Sequence, residues 1–475
     1  MNQRYRVSRW SNVFIRGQIA AVWHSISLAR VFLPEPLGSR LQGLKGRVLT
    51  EAEVLELAGD HPAALDCLKK GEYIVPSTAD EMLCLKETRE RLLQEVSLDK
   101  MYLLLTDGCD MACRYCSEEI VDLPRFRQQF MTAETIDRSV ECFARLTKLY
   151  GGRKPRRSIC LYGGEPLLNR VGIFHAVKRI TEAKTAGVLP DDIFVYVLTN
   201  GQPFDEAYAR LFAQHGVAVS ISIDGPKPIN DANRLGRSGT SPFEKARQAY
   251  CLAKERGVDV GISTTLTPEV VEHFDETLDF FIHDLGLREC ITLFLLHYTP
   301  CFPVEPDYYE KAARCLIKAR ERFSALGIND ESMRQKIEAF SNRTPILAEC
   351  GINGGTLVVA PEGAIGPCVD LVKPRLHMGG SVHDRDYDPV KAGLYASWRF
   401  RSPLFMEKCL DCPAVGLCGG GCPVKVECQT GSRWDIDYRI CPHSKLALEW
   451  LVWKAYDERD KNSDFEVAWT PRKCA

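Results

Sequence analysis

From residue 101 to about 325 the chain alternates short apolar runs with longer stretches whose apolar residues recur every three or four positions. The apolar runs predict strands at 101–106, 158–162, 193–199, 217–223, 258–264 and 290–296. The periodic stretches predict helices at 132–150, 171–186, 205–215, 242–256 and 270–285, and a sixth at 307–325 follows the last strand. Strands that alternate with helices in this way join as parallel βαβ units. Six units suit a partial (β/α)6 barrel of the α/β class, with chemistry at the carboxyl ends of the strands.

The flanks differ from this middle. Before it, 12–16 and 18–23 read as strands around Gly17, helices are expected at 51–59 and 62–70, and 71–76 looks like a hairpin or wing. A linking helix at 81–96 completes a small α+β unit over 1–97, followed by the barrel at 98–330. Residues 331–445 are rich in Gly and Cys and poor in periodic segments, so they are expected to fold around metal more than around an apolar core. Residues 446–475 begin as a helix and end as a polar tail.

Composition narrows the class. Hydrophobic content of 45% and charged content of 26% describe an ordinary globular chain, and a formal charge of −2 gives no electrostatic case for nucleic acid or an anionic membrane. No apolar run approaches the length of a membrane-spanning helix. Arg4, Arg6, Arg9 and Arg16 precede the first acidic residue, Glu35, but the strand pattern there argues for folded structure over a targeting peptide, hence a cytoplasmic protein. Twenty cysteines on 475 residues point to metal or redox chemistry.

Three of those thiols, Cys109, Cys113 and Cys116, stand directly after the first barrel strand. Three is one short of the set that a [4Fe–4S] cluster normally takes, so one iron would stay open to a small molecule. A zinc knuckle would need a matching pair nearby, and none appears before Cys409 and Cys412. After the second strand comes Gly163-Gly164-Glu165-Pro166: glycines allow close approach of backbone, and Glu165 offers an acceptor for an ammonium. Thr199-Asn200-Gly201 and Ser222-Ile223-Asp224-Gly225-Pro226 end the third and fourth strands, and Asn230-Asp231-Ala232-Asn233-Arg234 follows. Farther on, Cys350, Gly363 and Cys368 precede a C-x2-C-x5-C-x3-C run (Cys409, Cys412, Cys418, Cys422) and Cys441.

The C-x3-C-x2-C spacing with Tyr115 before its last Cys, the Gly-Gly-Glu-Pro string and the seven-cysteine pattern together resemble the radical S-adenosylmethionine (SAM) enzymes of the SPASM subgroup. The resemblance covers roughly three quarters of the chain. It implies that the open iron binds SAM, that reductive cleavage gives a 5′-deoxyadenosyl radical, and that Gly163, Gly164, Glu165 and Pro166 hold the SAM amino group. By the same resemblance Ser222 and Arg234 meet its carboxylate and Asn200 lies near the ribose. It also implies two auxiliary [4Fe–4S] clusters, three in all. Cys409, Cys412, Cys418 and Cys441 would hold one, and Cys350, Cys368 and Cys422 the other. The eighth ligand is then Cys428, Cys301 or a substrate on an open iron, since the position six before Cys350, which some relatives fill with Cys, is Thr344.

The small N-terminal unit resembles the winged-helix elements that recognise leader peptides, although a packing or oligomerisation role fits its pattern equally. The leading expectation is a maturase that crosslinks a ribosomally made precursor peptide, fed by a reductant such as flavodoxin or ferredoxin. The alternatives are a sulfatase-type maturase making formylglycine and, from another class, a zinc-stabilised binding or scaffold protein. Sulfatase maturases carry Asp directly after the second signature cysteine, whereas here Val369 intervenes before Asp370, the candidate proton acceptor. His297 and Tyr298, after the sixth strand, are further candidates for proton or radical work. The basic run at 153–157 reads as a solvated loop or as a guide for an acidic leader.

Overall fold

The structure, a computed structural model, describes residues 3–59, 62–93, 96–116, 129–151, 157–297, 302–372 and 374–459. Two small antiparallel sheets occupy the N-terminal part. In one, β1 (Arg4–Val7) lies between β5 (Val48–Thr50) and β6 (Ile74–Pro76). In the other, β3 (Ile19–His24) lies between β2 (Ser11–Arg16) and β4 (Arg30–Pro34). The wing expected at 71–76 is instead one strand, β6, paired with β1 through Arg6↔Val75. Thr50 caps the helix Glu51–Ala58 in a full capping box with Glu53, which satisfies two donors that the first turn would otherwise leave free.

This unit does not stand apart. The Trp23 ring stacks on Phe340 with centroids 5.4 Å apart, and its indole N–H donates to the Pro413 carbonyl at 2.9 Å. Ala21, Trp23 and Leu28 share a core with Leu448, Leu451 and Val452 of the helix Ile440–Asp457. That helix begins six residues before its expected start, because apolar Ile440 joins its buried face, and it carries Cys441 in its first turn.

The main sheet has nine strands in the order β13 (Asn329–Asp330), β12 (Cys290–Leu295), β11 (Val260–Leu266), β10 (Ala218–Ser222), β9 (Phe194–Thr199), β8 (Ser158–Gly163), β7 (Lys100–Thr106), β14 (Thr356–Val359) and β15 (Ile365–Gly366). All neighbours are parallel except β14 and β15. The six strands expected from the apolar runs are all present. Alternate residues of β11 (Val260, Ile262, Thr264, Leu266) are buried, the period-2 mark of a strand with one face under helices. Helix Ala133–Tyr150 brings Ile136, Val140 and Phe143 onto that core, each such side chain worth ~1.5–3 kcal/mol. Caps set the helix starts: Asn169 accepts from Gly172 N (2.9 Å), and Asp205 from Ala207 N and Tyr208 N (3.0 and 3.1 Å).

Two expectations change. The helix predicted at 270–285 is three pieces, Pro268–Glu272, Phe274–Asp279 and a π-helical turn Phe280–Asp284, broken where His273 leaves helical backbone (φ −106°, ψ 37°). The Cys-rich region is also less irregular than predicted. Its β14 pairs with β7 from Thr356↔Lys100 to Val359↔Leu103, so it hangs on the very strand that ends in the first cysteine loop. Among the described residues, no helix is long and apolar enough to cross a membrane.

Candidate active site

β7 ends at Thr106, and the loop after it carries Cys109, Cys113 and Cys116 at the carboxyl end of the sheet. Two neighbours pin that loop. On one side Gly164 N donates to Thr106 O (3.1 Å) and Glu165 N to Gly108 O (2.9 Å). On the other, Ala112 N donates to Leu235 O (2.8 Å), Arg114 N to Asn233 O (2.9 Å) and Arg237 Nε to Cys109 O (2.8 Å). The glycines expected to admit a ligand admit this loop. A Cβ on Gly164 would stand 2.5 Å from Gly108 O and 3.0 Å from Cys109 Cβ.

Glu165 is fully buried. Its Oε1 accepts from Leu167 N (3.0 Å) and Thr199 Oγ1 (2.8 Å), and its Oε2 from Asn200 N (2.7 Å). Three of its roughly four acceptor positions are thus taken by the protein, tying the end of β9 to the short 3-10 turn that starts at Pro166. Burial pushes this carboxyl up to about 7, against the pull of those donors. The Asn200 side chain donates to Asp110 Oδ1 (2.7 Å), so it too braces the cysteine loop. Ser222 closes β10 and is half-buried there.

The Arg234 guanidinium donates to the Tyr115 hydroxyl at 2.6 Å and lies 3.7 Å from the Asp224 carboxylate, which also accepts from that hydroxyl. Arg234 and Asp224 are buried. The cation assigned by resemblance to a SAM carboxylate therefore already has a protein carboxylate as partner. Burial raises the Asp224 carboxyl above its usual range, and Arg234 opposes the rise.

In the C-terminal region the thiols fall into two sets. Burial pushes Cys441 up to about 12, with Cys418, Cys412 and Cys409 adding to the effect. Burial likewise pushes Cys422 up to about 12, with Cys350 and Asp370 adding, and Cys368 is raised by burial, Asp370, Cys422 and Cys350. Cys109 is also pushed up to about 12 by burial. Buried thiols that disfavour one another's charge suit a cationic iron–sulfur core, which stabilises the thiolate. Among the described residues no three Cys, His, Asp or Glu side chains are drawn together as ligands of one metal ion. A four-iron cluster instead takes its thiolates around a multi-iron core. Cys428 is exposed on the helix Pro423–Thr430, and Cys301 and the run 152–156 lie outside the described residues.

Asp370 pairs with buried Lys425 at 3.3 Å. His297 Nδ1 lies 3.2 Å from Arg439 Nη1, and the Arg439 guanidinium is held by Asp437. Burial, reinforced by Arg439, pushes His297 down to about 4, so the ring is neutral near pH 7. Tyr298 lies outside the described residues. The roles of Asp224, Arg237, Lys425 and Arg439 are absent from the sequence reading. Only Asp224 had a signal, its place between Ser222 and Gly225.

An α/β enzyme with a tri-thiol loop at the carboxyl end of a parallel sheet is the class that the fold and site define. Residues 103–281 match the model of the radical SAM superfamily, and the protein is a radical SAM enzyme with a [4Fe–4S] cluster and SAM as cofactors. It is 24% identical over 363 residues to a cysteine-type anaerobic sulfatase-maturating enzyme of Clostridium perfringens, covering 73% of this chain and 94% of that one. The structure of anSMEcpe with bound AdoMet superposes with a TM-score of 0.61 at 20% identity, over 76% of this chain and 96% of that one. Streptococcus suis SuiB bound to the precursor peptide SuiA superposes with a TM-score of 0.54 at 14% identity, over 92% of this chain and 99% of that one. Such identities establish the fold shared with these maturases. The family leaves the zinc-stapled scaffold without a supporting observation.

Proposed function

We propose that this enzyme matures a ribosomally made peptide by forming a thioether, carbon–carbon or related crosslink. The observation that carries this reading is the joining of three parts. The N-terminal unit packs on the helix bearing Cys441, the thiol-rich region shares a sheet with the catalytic loop, and SuiB, solved with its precursor peptide, shares the fold over 92% of the chain. Cys109, Cys113 and Cys116 hold the SAM-binding cluster. Cys409, Cys412, Cys418 and Cys441 hold one auxiliary cluster, and Cys350, Cys368 and Cys422 the other. Bound SAM and the reduced cluster supply a 5′-deoxyadenosyl radical that takes hydrogen from an unactivated C–H bond. Tyr115, Asp224 and Arg234 keep the cysteine loop in register with the end of β10, and Glu165 and Asn200 hold it to the end of β9. Asp370, held by Lys425, is the candidate proton acceptor. The N-terminal unit takes the leader peptide, and a flavodoxin or ferredoxin supplies electrons.

The second reading, formylglycine formation, is favoured by the sulfatase-maturase relative and weakened by Val369 at the position of the expected Asp. One experiment separates the two: anaerobic incubation with SAM, dithionite and either precursor peptides encoded beside the protein or a sulfatase-motif peptide. Release of 5′-deoxyadenosine with loss of two hydrogens and no aldehyde supports the crosslink. A hydrazide-trapped aldehyde on the sulfatase peptide replaces it with formylglycine. No 5′-deoxyadenosine above the peptide-free level with either substrate overturns both.

A further inference from the structure

Four buried cations stand beside the auxiliary thiols. Lys336 is offset by Glu349 (3.5 Å), Lys425 by Asp370 (3.3 Å) and Arg439 by Asp437. The fourth, Arg401, is only 3% exposed and makes no ion pair among the described residues. Its Nε donates to Arg433 O and its Nη2 to Asp435 O (2.9 Å), both uncharged carbonyls. Its Nη1 is buried and has no hydrogen-bond partner among the described residues. An orphaned buried N–H of a charged group is costly unless something accepts from it, so the position calls for an acceptor.

The surroundings say where that acceptor would be. Cys418 of one set and Cys422 of the other are joined by Gly419-Gly420-Gly421, and this turn runs between Arg401 and Asp437. A Cβ on Gly420 (φ +83°) would stand 2.5 Å from Arg401 Nη1, and one on Gly421 would stand 2.3 Å from Asp437 Oδ2. Among the charges around it Arg401 feels the Asp437 carboxylate first, with which it makes no ion pair, and then Cys409 and Cys418 before Cys422. The free donor therefore sits at the turn between the sets, closer in effect to the four-cysteine one.

We propose that Arg401 is the hydrogen-bond donor and fixed positive charge of the auxiliary cluster held by Cys409, Cys412, Cys418 and Cys441, and that it raises the reduction potential of that cluster. The inference rests on the auxiliary-cluster reading. Reduction adds one electron to the cluster, and a buried cation with an N–H aimed at its sulfurs favours the more negative state. The second set faces cations that carboxylates offset in direct ion pairs, whereas Asp437 acts on Arg401 without one, so Arg401 separates the two potentials. It acts as a positioning residue for charge and needs no contact with the substrate.

The test uses the full chain, anaerobically reconstituted, with Arg401→Gln and Arg401→Lys beside the wild type. Iron and sulfide per chain come first, since fewer than about twelve of each in the wild type would defeat the auxiliary-cluster reading itself. With clusters loaded, EPR-monitored redox titration reads the potentials. The expected result is full iron in both variants, one auxiliary potential shifted down in Arg401→Gln, and a smaller shift in Arg401→Lys, which keeps the charge. Unchanged potentials with full iron overturn the proposal. So does loss of about four irons in both variants with the remaining potentials unchanged, which would make Arg401 a structural tie. If Arg401→Gln does not fold, wild-type protein carrying 15N-guanidino arginine decides the matter by pulsed EPR. A 15N coupling at an auxiliary signal that disappears in Arg401→Lys supports the contact, and no such coupling overturns it.

Discussion

The cysteine loop after β7 and the C-terminal thiol region present the same side chains on opposite kinds of scaffold. The first hangs from β7, whose Met101, Leu103 and Leu105 are fully buried in the large core, and protein hydrogen bonds hold it from both sides. The second runs through short helical turns and loops, with small apolar clusters such as Ile352, Leu371, Trp398 and Val424 between its thiols. In the first, the fold positions the ligands. In the second, β14 and Tyr395 join the large core, and the ligands are expected to hold the short turns around Cys409, Cys412, Cys418 and Cys422.

The sharpest contrast comes from removing thiols. Cys109/Cys113/Cys116→Ala is expected to abolish 5′-deoxyadenosine formation and to lose about four of about twelve irons, with the melting transition unchanged. Cys409→Ala/Cys412→Ala is expected to lose similar iron but to melt lower and to be cut by protease within 331–445. Calorimetry and limited proteolysis of both variants read the difference, and equal melting in the two would break the comparison.

A smaller effect tests how the barrel braces its loop. Arg234→Leu leaves Asp224 as an unpaired buried carboxylate, which should cost about 3–5 kcal/mol in denaturant unfolding. Adding Asp224→Asn should recover part of that loss. A cost below about 1 kcal/mol would mean that the Tyr115–Asp224–Arg234 contact contributes little to the loop's support.

The smallest effect concerns the N-terminal unit, which leans on the C-terminal region. Burial pushes His24 down to about 3, far below its ordinary value near 6.5. Between those values the unfolded chain binds a proton that the folded chain does not, so stability rises with pH across that window and falls as the solution is acidified below about 6.5. His24→Asn, which can still accept from Ser27 N (3.1 Å in the native protein), should flatten the dependence of melting temperature on pH between 4 and 6.5. An unchanged slope would assign the acid sensitivity to other groups.

The sheet was legible from sequence because its six main strands each carry an apolar run and its helices carry the longer period. β14 was not, since Thr356–Val359 is short, lies among glycines and cysteines, and finds its partner only through pairing with distant β7. The cysteines were legible because spacing alone marks them. The partners of Glu165 and Arg234 were not: both have ionisable side chains of the kind that binds ligands, and only the folded chain shows three donors on one and Asp224 against the other. The N-terminal unit read as separate because the pattern of 12–23 says nothing about Phe340, Pro413 or Leu448.

The seam between β2–β4 and the helix Ile440–Asp457 also orders events during synthesis. Phe32 meets Tyr456 with ring centroids 5.1 Å apart, and the Arg16 guanidinium lies 4.5 Å from the centre of the Trp453 ring. The first of these partners leaves the ribosome long before the second, roughly 20–80 seconds earlier at ordinary elongation rates. For most of that interval, until Phe340 is made, the apolar face around Trp23 has no native cover. These strands of the nascent chain must therefore wait, chaperoned or transiently packed, until the helix Ile440–Asp457 has been made.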